Sequence, residues 1–192
     1  MRLHTFSLHF AVLLVSANAQ GLLNRQDDTI PAQVDLIYER GLRYLSEKQG
    51  QDGSWSDNAG KEPGVVGLCV AAFLAHGEDP KNGPYAKVIN KGVDYIISKQ
   101  NSVNGYIGSS MYNHAFATKA LAESYGVVDN PKLAKALKQA IDLIVSSQKR
   151  NRFGAWRYTP ESLDADTTVT GCQMVSLYAA KNAGMEVPDE AL

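Results

Sequence analysis

The sequence predicts an all-α chain. Apolar residues recur at helical spacing in six separate segments, and those segments fall into three copies of one pattern. Runs that alternate apolar and polar residues, the mark of a half-buried strand, are nearly absent.

The opening residues are expected to be an address rather than part of the fold. Arg2 gives a positive charge, Phe6 to Val15 is mostly apolar, and Ala17-Asn18-Ala19 has the small-x-small pattern a signal peptidase accepts. The apolar run is too short for a membrane span, which needs about 20 residues. Cleavage is therefore expected before Gln20, which places the protein outside the cell or in the periplasm. Residues 20–31 are polar and read as a linker. The repeat region spans residues 32–192, with copies at about 32–80, 83–130 and 131–187.

Each copy holds two helices. In the first, Val34, Ile37, Leu42 and Leu45 form one apolar stripe, and Pro31 suits a helix start because its missing N–H would have no partner there. A glycine-rich loop leads to a more apolar helix, Val65 to Ala75, with Gly77 as its C-cap. The second copy gives Val88 to Lys99, then Tyr112 to Tyr125 closed by Gly126. The third gives Leu133 to Ser147, then Thr168 to Asn182 closed by Gly184. Pro80, Pro131 and Pro188 follow the closing glycines and open the next segment. The first helix of each pair has one stripe and many charges, so it belongs outside. The second is rich in Ala, Gly, Val and Cys, so it belongs to a buried inner layer, where Ala71, Ala72, Ala75, Ala115, Ala117, Ala120 and Ala122 permit close approach.

The copies share a motif. The first reads Arg40-Gly41-Leu42-Arg43-Tyr44-Leu45, Gln49, Gly53-Ser54-Trp55. The second reads Lys91-Gly92-Val93-Asp94-Tyr95-Ile96, Gln100, Gly105-Tyr106-Ile107. The third reads Gln139-Ala140-Ile141-Asp142-Leu143-Ile144, Gln148, Gly154-Ala155-Trp156. The glutamines stand 51 and 48 residues apart. Physically, the glycine allows a turn that a Cβ would block. The glutamine can bond unpaired helix-end groups, and the aromatic can cover the junction. This is a structural staple with no chemistry of its own.

That pattern resembles the QW repeat of the squalene and oxidosqualene cyclases over about residues 32–187. The second copy has Ile107 for the tryptophan. The third has Ala140 for the glycine and Leu143 for the aromatic. The resemblance implies an α/α toroid, as in terpenoid cyclases and protein prenyltransferases. A closed ring takes about six hairpins, so three make an incomplete one. The expectation is a chain truncated at its C-terminus, with closure by self-association, or a short, shallow solenoid with a polar concave face, as rivals.

After Trp156-Arg157-Tyr158, the segment Asp164-Ala165-Asp166-Thr167-Thr168 resembles the Asp-x-Asp-Asp-Thr segment of squalene–hopene cyclases, with Thr167 where that family has a third carboxylate. The resemblance implies Asp166 as proton donor to an isoprenoid alkene, Asp164 as its orienting partner, and no metal or organic cofactor. Trp156, Tyr158 and Tyr112 would steady cations through their π faces. Asp is equally a favoured helix N-cap, and one carboxylate fewer weakens the sharing of a proton. Two functions stay open: isoprenoid cyclisation, or a non-catalytic module that binds a glycan, peptide or protein.

The remaining signals are smaller. A zinc-dependent protein prenyltransferase would need an Asp-x-Cys pair and a later His. Here Asp166 and Cys172 stand six apart and no His follows. Cys69 and Cys172 could pair in an exported protein or serve as small apolar residues. His114 reads as a satisfied polar contact, and Lys149-Arg150-Asn151-Arg152 as a solvated basic loop. With 19 Lys+Arg against 20 Asp+Glu, the net charge of -1 provides no basic footprint for nucleic acid.

Overall fold

The computed structural model describes residues 32–192 except Ala59. The expected signal peptide, the expected linker and Pro31 lie outside the described residues. The chain divides into residues 1–36 and 37–192. Of the first unit, only the opening turn of a helix is described.

Every described element is helical: α1 (Ala32–Lys48), α2 (Pro63–His76), α3 (Ala86–Ser98), α4 (Met111–Ser124), α5 (Leu133–Arg150), α6 (Thr167–Asn182) and a short 3₁₀ turn, Asp189–Ala191. Two isolated bridges, Asp57 with Gly60 and Gln100 with Ile107, are the sole β pairings among the described residues. The closing glycines behave as expected. Gly77, Gly126 and Gly184 have φ of 89°, 83° and 88°. At Gly77 the N–H groups of Gly77 and Glu78 turn back to Leu74 O and Phe73 O. The fifth helix runs three residues past its expected end, into the basic loop.

The inner helices pack side by side in the order α2, α4, α6. Outside them, α3 sits against α2 and α4, and α5 against α4 and α6. Phe73, Val70, Leu121, Leu137, Ile144 and Leu177 are fully buried between the layers. Gly64 and Gly67 allow the close approach of α2 to α4, where Ala115 and Ala117 of α4 are buried. A Cβ on Gly67 would lie 2.5 Å from Phe116 O, and one on Gly64 would lie 2.4 Å from Asn113 Oδ1. The stripe on the first helix is only partly used. Leu42 is buried, but Val34 is 49% and Ile37 68% exposed. The later outer helices each lie over two inner helices.

The motif joins consecutive hairpins. Gln49 Nε2 donates to Gly53 O in its own loop (3.1 Å) and to Val88 O at the start of α3 (2.9 Å). Gln100 repeats this with Gly105 O (3.0 Å) and Ala136 O in α5 (2.9 Å). Gln148 does so with Gly154 O (3.1 Å) and Ala191 O of the terminal turn (3.3 Å). The loop glycines, at φ of 86° and 79°, let the chain lie flush on the next outer helix. Cβ atoms there would meet Lys91 O at 2.2 Å and Gln139 O at 2.4 Å. A Cβ on Gly92 would stand 2.5 Å from Val70 Cγ2 on the facing inner helix, which is why that motif position is small, and Trp55 lies beside it at 3.4 Å. Its indole N–H donates to Leu45 O (2.7 Å).

The second junction is built differently. Ile107 replaces the tryptophan, Ala140 replaces the glycine, and His114 occupies the space between. Ile107 N–H donates to His114 Nδ1 (3.1 Å), so Nε2 carries the proton and donates to Ala140 O (3.1 Å). His114 is fully buried, and that burial pushes its pKa down to about 4.

Candidate functional site

The third hairpin carries the site. Its loop is longer than the others, and Trp156 and Asp166 close it at the base. Asp166 N donates to Trp156 O (2.8 Å), and Trp156 N donates to Thr170 Oγ1 (3.2 Å). The indole N–H reaches Ile144 O (2.9 Å) and Ser147 Oγ (3.0 Å). The intervening excursion, residues 157–165, is braced from behind by Asn151, whose amide donates to Ser162 O (3.0 Å) and Asp164 O (2.9 Å).

This bracing leaves Asp166 in extended backbone, φ −129° and ψ 130°, at the N-cap of α6. Its Oδ1 accepts from Thr168 N (2.9 Å), Val169 N (2.9 Å) and Thr168 Oγ1 (2.6 Å). The Thr168 hydroxyl, the Val169 and Thr168 amides and the nearby Arg157 charge together hold the carboxyl below the usual carboxylate range. Thr168 also bonds the Tyr112 hydroxyl. Because the Thr168 proton goes to the carboxylate, Tyr112 is the donor. Tyr112, Thr168 and Asp166 thus form one hydrogen-bonded line across α4 and α6.

Asp164 is turned away from that line. Its Oδ2 pairs with Arg157 Nη1 at 2.9 Å, Asp164 being exposed and Arg157 half-buried. Asp164 and Asp166 share no hydrogen bond, although one loop and one arginine serve both. The Arg157 guanidinium stacks over Tyr158 (4.9 Å), whose ring lies 6.3 Å from that of Tyr112. Tyr158 is 47% exposed and available to a ligand, whereas Trp156 is 2% exposed, with its ring committed to the core.

Sequence reasoning missed two supports of this site. The Met111 N–H, at the start of α4, is taken by Tyr158 O (2.9 Å), which ties the excursion to the second hairpin. Gln173, fully buried in α6, donates to Met111 O (2.7 Å), while its Oε1 has no partner. The signal for the second was present: a glutamine on an otherwise apolar inner helix. The cysteines are both free, Cys69 on α2 and Cys172 on α6, and burial pushes the Cys69 thiol up to about 11. Among the described residues, no cluster of His, Cys, Asp and Glu could hold a metal ion, and no helix is long and apolar enough to cross a membrane. No protein-family model matches the chain, and no curated protein matches it.

Proposed function

We propose that the chain is an exported repeat domain of the squalene-cyclase and prenyltransferase type that binds a glycan, peptide or protein on the face of its inner helices, rather than one that performs proton-transfer catalysis. The observation that carries this reading is the state of Asp166. An alkene is protonated only by a carboxylic acid that holds its proton. Asp166 accepts three hydrogen bonds on one oxygen at a helix N-terminus, an arrangement that favours the anion. The inner helices also present apolar side chains to solvent. Leu68 on α2 and Val175 and Tyr178 on α6 are about half exposed, and the Tyr112–Tyr158 pair stands at one end.

The rival reading, isoprenoid cyclisation with Asp166 as acid and Asp164 as partner, draws support from the Tyr112–Thr168–Asp166 line, which could return a proton to the carboxylate. One experiment separates the two. The full chain is incubated with squalene and the extract analysed for cyclic products. The binding reading expects none. Cyclic products that vanish in Asp166→Asn would overturn it. Titration of tyrosine fluorescence with soluble glycans and peptides then seeks the ligand, and Val175→Asp should abolish any response.

A further inference from the structure

The third loop differs from the other two in charge. Gln49 is followed by Gly50-Gln51-Asp52 and Gln100 by Asn101-Ser102-Val103-Asn104, but Gln148 is followed by Lys149-Arg150-Asn151-Arg152-Phe153. Lys149 is engaged with Glu190 at 3.5 Å. Arg150 and Arg152 instead line an open cavity of about 390 Å³ together with Leu163 and Asp164.

Both guanidinium groups are held without being neutralised. Arg150 Nη2 donates to Pro160 O (3.4 Å), and the Arg152 guanidinium lies 4.6 Å from the centre of the Phe153 ring. Neither makes an ion pair among the described residues. The one carboxylate lining the cavity, Asp164, is matched by Arg157. Two arginines without ion-pair partners therefore line the same space. The C-terminus of α5 opposes an anion there with roughly half a negative charge, less than the arginines supply. Leu163, 68% exposed, forms an apolar rim.

We propose that Arg150 and Arg152 form an oxyanion site for the phosphate or sulfate group of a ligand, with Leu163 against its apolar body. A guanidinium donates in a planar fork that two oxygens of such a group can accept.

The test is isothermal titration calorimetry of the full chain with sodium phosphate, sodium sulfate and phenyl phosphate, against chloride at matched ionic strength. Saturable heat is expected for the oxyanions and none for chloride, with phenyl phosphate the tightest. Equal affinity for phosphate and phenyl phosphate would keep the anion site and overturn the role of the apolar rim. Arg152→Gln should weaken phenyl phosphate by about ten-fold or more, and Arg152→Lys by less. Arg157→Gln, although Arg157 does not line the cavity, should also weaken it, because Asp164 is then released towards the anion. Lys149→Gln should bind as wild type. No saturable heat, an equal response to chloride, or an Arg150→Gln/Arg152→Gln double variant that folds by circular dichroism and binds as wild type would overturn the site.

Discussion

Acid should weaken the joint between the second and third hairpins, and His114 sets the size of the effect. The ring accepts from Ile107 N and donates to Ala140 O, which only the neutral form can do. An unfolded histidine titrates near 6.5, whereas the buried ring does so near 4. Because the folded value is depressed, this contribution is complete above the unfolded value and is lost as pH falls from there to the folded value. The gap corresponds to about 3 kcal/mol, a large share of a domain's total stability. The assay is urea unfolding across that pH window, for wild type and for His114→Gln, which keeps a donor for Ala140 O and does not titrate. Carboxylates titrate alike in both proteins and cancel in the difference. The advantage of wild type over the variant should shrink by about 3 kcal/mol between pH 7 and pH 4. Parallel curves would refute the argument.

The other predictions concern the loops, caps and thiols. Gly105→Ala should cost more than Gly154→Ala: both glycines have positive φ, but only at Gly105 would the new methyl strike a neighbouring helix, at Gln139 O. Thermal melts of the two variants would show this, and equal midpoints would sink it. Trp156→Phe keeps the ring but removes the donor to Ile144 O and Ser147 Oγ, and should cost about 1–3 kcal/mol by chemical denaturation. Asp166→Ala should destabilise at neutral pH, with its difference from wild type fading as acid protonates the cap. A penalty that does not change with pH would contradict the ionised cap. Reductant should leave the melting point unchanged, and thiol titration of the unfolded chain should find two free thiols.

Much of the fold was legible because it rests on local signals. Helical spacing, closing glycines and prolines mark the ends of the helices, and the Gln and Gly of each motif are where a loop must meet the next hairpin. What stayed hidden depends on partners distant in sequence. Nothing in Gly64 or Gly67 announces that α4 will press against them. The stripe on α1 reads like those on α3 and α5, yet Ile37 remains open to solvent because burial depends on what lies beside a helix, not on its own pattern. At the site, the Asp166 cap could be anticipated from a carboxylate before an apolar helix. Its link through Thr168 to Tyr112 could not, because it joins residues 56 apart. His114 was recognisable as a satisfied contact, but its partners were not.

The Gln49 and Gln100 amides are each anchored at once in their own bend and in the following hairpin, and Gln148 in its bend and the terminal turn, so no hairpin owns its stability outright. Loosening one bend should therefore be felt downstream before upstream, giving the array a polarity like that of a row of tiles, each lapping the next. Amide exchange after Gln49→Ala would reveal it, with opening of α3 exceeding that of the α1 segment that bears the change.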